Sequence, residues 1–162
     1  SYRTNLINNL LDQVQAGNAD GVNVDFESFP ASQKENMVTF ISDLTIAFHT
    51  EIPGSQVTLA MPAVDWSNAW DYNSLANISD GLFIMGYAYH WSGSQATGPN
   101  SPLTGSGHTI TSTVFDYLSK TNYQSEKLIL GCPYYGFVWP SESNIPGSAT
   151  TCLLYTSDAA DE

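Results

Sequence analysis

The sequence predicts an α/β fold in which short parallel strands are covered by helices, and three observations carry that expectation. Apolar residues switch repeatedly between helical and strand spacing along the chain. The strand segments are short and nearly continuously apolar, the pattern of strands in a parallel sheet. Polar groups fall at the C-terminal ends of two of them, Glu27 on the first and Tyr87 on the third, which is where parallel barrels place their chemistry.

Each element has its own signal. "TNLINNLLDQVQAG" puts Leu6, Ile7, Leu10, Leu11 and Val14 on one helical face, with Thr4 as N-cap and Gly17 as stop. A strand follows over Gly21–Glu27. In "SQKENMVTFISDLTIAFHTEIPG", Ser32 and Glu35 form a capping box. Met37, Phe40, Ile41, Leu44 and Phe48 then recur at helical spacing until Pro53-Gly54. "QVTLAMPAV" is a second strand, followed by a short helical stretch near "DYNSLANIS". "GLFIMGYAY" is a third strand and opens into a long loop rich in Gly, Ser and Pro. "TITSTVFDYLSKT" reads as a helix with Ile110, Val114, Phe115 and Leu118 inward. "KLILGCPYYGFVW" is the fourth strand, with Cys132 as a small buried residue.

Composition narrows the function. The 162 residues suffice for one domain, and 42% apolar with 12% aromatic content indicates a folded chain. A formal charge of −12 disfavours nucleic acid and anionic membranes as partners, since both require basic patches. The remaining polarity comes from Asn, Ser, Thr, Gln and Tyr, side chains suited to sugars. No apolar run approaches the ~18 residues that span a bilayer, and the first residues lack the basic start and apolar core of a signal peptide. The last eleven residues, "CLLYTSDAADE", resemble the translation of a sequencing adaptor. Residues 152–162 are therefore set apart from residues 1–151 as a non-native tail; the other reading is a natural acidic terminus. Without Cys152, Cys132 has no partner, and cysteine usage says nothing of compartment.

Parallel α/β chains form closed barrels or doubly wound sheets. The second class predicts a Gly-rich phosphate turn after a strand, and neither G-x-G-x-x-G nor a P-loop is present. A partial (β/α)8 barrel is the better expectation. Within it, "DGVNVDFE" (20–27) is the segment to explain: Asn23, Asp25 and Glu27 share one strand face, while Val22, Val24 and Phe26 share the other. Neighbouring carboxylates raise one pKa and so keep an acid protonated near neutrality, as a glycosidase general acid requires. A calcium loop would need ligands at every second position and a glycine at the sixth, so no metal is expected. An ordinary polar strand face suits antiparallel sheets, and the βα order argues against one.

These segments resemble the landmarks of glycoside hydrolase family 18, the chitinase family. "DGVNVDFE" is similar to its D-G-x-D-x-D-x-E signature, "MGYAYHW" to its M-x-Y-D strand, and "KLILGCPYYG" to its G-x-P-x-Y-G strand. "YHWSGSQATGPNSPL" is similar to members with a Y-D-Y-H-W-S-G-S start. All four occur in family order between Thr4 and Trp139. The resemblance implies a fragment carrying approximately strands 4–7 of the full barrel, insoluble or inactive by itself, and no cofactor. It implies Glu27 as the acid on the glycosidic oxygen, Asp25 as the group holding the substrate acetamide, and Tyr87 as a donor to that acetamide, with Met85 lining the pocket. Asn23 replaces the commoner Asp, and its amide is suited to donate to Asp25. Ala88 replaces the Asp that normally follows Tyr87, which should weaken catalysis. His90, Trp91 and Trp139 are placed either to stack on sugar faces or to pack the barrel rim. Trp70 reads as packing, and His49 and His108 as ordinary helix-end or loop residues.

The implied substrate is a polymer of β-1,4-linked N-acetylglucosamine, chitin or its oligosaccharides. Peptidoglycan or N-glycan cores, and a non-catalytic lectin on the same barrel, are the alternatives. Because such polymers lie outside the cytoplasm, a secreted or cell-surface protein is expected.

Overall fold

The computed structural model describes residues 1–150, so the tail set apart above lies outside the described residues. The elements are α1 (Tyr2–Gly17), β1 (Gly21–Val24), α2 (Lys34–Glu51), β2 (Gln56–Pro62), α3 (Tyr72–Ile78), β3 (Gly81–Met85), α4 (Ile110–Lys120) and β4 (Leu128–Gly131). Their order is the one the sequence predicts. The four strands form one sheet in sequential order, every neighbouring pair parallel.

The register separates the two faces. Val22 and Val24 of β1 align with Val57 and Leu59 of β2, and Leu59 and Met61 align with Leu82 and Ile84 of β3. This face is sealed by Ile41, Leu44 and Phe48 of α2, Leu75 of α3 and Tyr117 of α4, all fully buried. The other parity carries Asn23, Thr58, Phe83, Met85 and Ile129, none of which belongs to that core. A doubly wound sheet is covered by helices on both faces and reverses its strand order. Here helices cover one face and the order never reverses, as in a sector of a (β/α)8 barrel seen from its axis. Hydrophobic burial on the outer parity is the main stabilising term, at about 25 cal/mol per Å² removed from water.

Several local expectations are corrected. Strand β1 stops at Val24 rather than Glu27, because the chain leaves the sheet there and Phe26 packs on Phe40 of α2, ring centroids 6.0 Å apart. Strands β3 and β4 end at Met85 and Gly131, short of Tyr89 and Trp139. After Met85, the Gly86 N–H bonds Ile84 O and Gly131 O in a turn; beyond Gly131, Pro133 has no N–H to offer a ladder. The α1 N-cap is Ser1, whose Oγ accepts from Thr4 N at 3.3 Å, and Asn18 at φ 49° ends the helix after Gly17. The expected Ser32–Glu35 box does not form: Ala31–Gln33 make a 3-10 turn and α2 starts at Lys34. A capping box occurs instead on α4, between Thr109 and Ser112. On α4, Phe115 is 67% exposed and the buried face is Ile110, Thr113 and Tyr117. The two hydroxyls donate to the Ala63 and Pro62 carbonyls at 3.0 and 2.7 Å, satisfying backbone acceptors at the end of β2. Cys132 is exposed, since it follows the last paired residue of the edge strand β4.

Candidate active site

The C-terminal strand ends open onto a cleft of about 720 Å³. Glu27 enters it from the segment after β1, and Pro62, Ala63, Val64 and Trp66 from the end of β2. Met85, Tyr87, Ala88, Tyr89 and His90 come from β3 and its following loop, and Tyr135 from beyond β4. His108, from the return limb of the long loop, stands edge-on to Trp66 at 4.7 Å. The chain folds this way because each strand carries its aliphatic residues on the helix-facing parity until it ends; the next residues, free of the ladder, turn polar and aromatic groups to the mouth.

Glu27, Met85, Tyr87 and His90 therefore share one cleft. Asp25 lines an adjoining recess of about 550 Å³ with Glu27, Phe29 and Asn36. Asn23 sits on the inner parity of β1, in register with Thr58, and among the described residues its side chain makes no hydrogen bond to Asp25. The reason is that Asp25 lies past the end of β1, where the regular alternation has stopped. Trp91 and Trp139 lie away from the cleft and engage each other: the Trp139 indole N–H donates to Trp91 O at 2.8 Å. Trp70 is buried against Phe29, as its packing role predicts. His49 reaches Asp80 at 3.0 Å, far from the mouth.

Tyr87 lines the cleft between Met85 and Ala88 in the chain. Burial, then Tyr135, Asp25 and Glu27, push its phenol above the ordinary tyrosine value, so it remains a hydrogen-bond donor through neutral pH. Tyr135 packs edge-on to Tyr87 at 5.9 Å, and Phe137 and Trp139 continue the aromatic row. Sequence reasoning missed Tyr135, Trp66 and His108 as cleft residues. Tyr135 is the tyrosine of the G-x-P-x-Y-G likeness, and that motif was the signal that could have flagged it. No group of three or more metal-ligating side chains occurs among the described residues.

A parallel βα sector with its cleft at the C-terminal strand ends defines the chain as part of a (β/α)8-barrel protein. The chain belongs to glycosyl hydrolases family 18, whose model matches residues 1–158. It is 31% identical over 152 residues to di-N-acetylchitobiase of Rattus norvegicus, covering 85% of this chain and 38% of that protein. It is 32% identical over 142 residues to the putative sporulation-specific glycosylase YdhD of Bacillus subtilis (strain 168), covering 85% of this chain and 32% of that one. Among solved structures, the Group IV chitinase of Ostrinia furnacalis superposes with a TM-score of 0.82 at 27% identity, over 93% of this chain and 46% of the insect chain. The chain thus spans less than half the length of these relatives.

Proposed function

We propose that the protein to which this chain belongs is a glycoside hydrolase that cleaves β-1,4 bonds of N-acetylglucosamine polymers, chitin or chito-oligosaccharides. The observation that carries this reading is that Glu27 and Tyr87 meet in one cleft at the strand ends of a family 18 sector. Glu27 donates its proton to the glycosidic oxygen as the C1–O bond breaks. The substrate's own acetamide oxygen forms the new bond to C1, with Asp25 holding the acetamide N–H and Tyr87 donating to its oxygen. Water then attacks C1, Glu27 takes its proton, and configuration is retained, the substrate-assisted variant of retaining hydrolysis. Met85 and His90 line the sugar site, with Asn23 on the inner strand face beneath it; Trp91 and Trp139 pack on each other outside the cleft. No cofactor enters. A polymer of this kind places the protein outside the cytoplasm, secreted or on the cell surface; no described helix is long and apolar enough to cross a membrane.

Ala88, where the family has Asp, favours a second reading: a lectin that binds the same sugars without turnover. One experiment separates the two. The full-length protein and its Glu27→Gln variant are assayed on chitin oligomers, peptidoglycan and N-glycan cores, and anomers are followed by NMR. Hydrolysis with retained configuration, lowered about 10²- to 10⁴-fold by the variant with binding kept, is the expected result. Binding without turnover in the native protein selects the lectin.

A further inference from the structure

We infer that Asn100, on the return limb of the long loop, is a positioning residue that locks Tyr87 and Tyr135 across the cleft. Its side chain bridges two strand ends that share no ladder at this level. Asn100 Oδ1 accepts from Ala88 N at 2.7 Å, and Nδ2 donates to Tyr135 O at 3.0 Å. Its own carbonyl accepts from Tyr89 N at 3.1 Å. Three bonds from one residue thus fix the backbone on the C-terminal side of Tyr87 and the backbone of Tyr135, whose rings meet edge-on at 5.9 Å.

The geometry at Ala88 gives the clamp a reason. Ala88 is held at φ 58°, a left-handed conformation unfavourable for a residue with a Cβ. Such a conformation persists only where its surroundings over-determine it, and the short bond to Asn100 does that. The next residues anchor the clamp. Ser101 Oγ donates to Gly86 O at 2.6 Å, just ahead of Tyr87. The Pro102 and Leu103 carbonyls accept from Ile110 N and Thr111 N, tying the limb to the start of α4. The loop is therefore a brace from α4 to the two tyrosines, and asparagine suits its apex because one planar amide both accepts and donates. Aspartate would keep the Ala88 bond and lose the Tyr135 bond.

This inference rests on the proposed function, since Tyr87 is assigned there to the acetamide. The test uses the full-length protein with Asn100→Ala, Tyr87→Phe and the double variant, on a chito-oligosaccharide. Misplacing a reacting or orienting group by about 1 Å costs up to about 10²-fold. The expected result for Asn100→Ala is a loss of about tenfold or more in kcat with KM within about twofold. Little further loss is expected when it is added to Tyr87→Phe, as for two residues acting through one contact. An unchanged kcat, or losses that multiply fully, overturns the clamp. If the native protein turns over no N-acetylglucosamine oligomer, the functional reading falls separately, and the Tyr87–Tyr135 ring contact is followed by NMR. Its loss in Asn100→Ala sustains the clamp; its persistence overturns it.

Discussion

At the scale of single residues, the cleft is set by groups just past strand ends, and Ala88 is the one whose replacement is most informative. It lines the cleft with Glu27 and adopts φ 58°. Aspartate tolerates the left-handed region better than alanine does, so Ala88→Asp leaves the backbone in place. Ala88→Asp restores the residue that members of the family carry after the tyrosine and is expected to raise kcat; an unchanged kcat would show that another group already fills the role. The sequence made Glu27, Tyr87 and Met85 legible because their motif spacing survives folding intact. It could not reveal Asn100, whose bridge depends on a loop folding back from Pro99 to Tyr135. The Asn23–Asp25 bond was misread because alternation was extended beyond Val24, where β1 has ended.

At the scale of elements, apolar spacing located the four α-helices and four strands of the described residues, while caps and strand ends were decided by hydrogen bonds the pattern does not encode. Helix α4 shows this in its cap and in its buried face. Its capping box uses Ser112 rather than Glu or Gln, with Ser112 N bonding Thr109 Oγ1 at 3.1 Å and Thr109 N bonding Ser112 Oγ at 2.9 Å. Its buried face is chosen by Thr113 and Tyr117 hydroxyls seeking carbonyls, which leaves the more apolar Phe115 outside. Thr109→Ala removes a side-chain cap and should cost about 1 kcal/mol, read as a lower urea midpoint at unchanged slope. Because the limb carrying Asn100 is tied to the same helix start, this variant also tests whether the brace survives a weakened anchor.

At the scale of the whole molecule, the core joins sheet and helices through a pair of buried tyrosines with the same demand on pH. Tyr72 and Tyr117 pack edge-on at 4.8 Å. Burial is the first cause holding both phenols above their ordinary value, and Asp65 and Asp116 add to it. The folded pKa values thus exceed the unfolded value of about 10. Below that pH both states keep the protons and stability is intact. Above it the unfolded chain ionises first, so stability falls as pH rises towards the folded values. Urea midpoints of the full-length protein are expected to hold level up to about pH 9.5 and decline beyond 10, with a shallower decline in Tyr117→Phe; equal slopes would exclude the pair as the cause. The fold class was readable in the sequence because it depends on strand parity, which folding preserves. That parity has a further consequence for how such a chain can change over time. Positions such as Val57, Leu59, Leu82 and Ile84 answer to the core, while their immediate neighbours Thr58, Phe83 and Met85 face the axis. Stability and specificity are therefore written on interleaved residues of the same strands, and a lineage can revise one message while leaving the other intact.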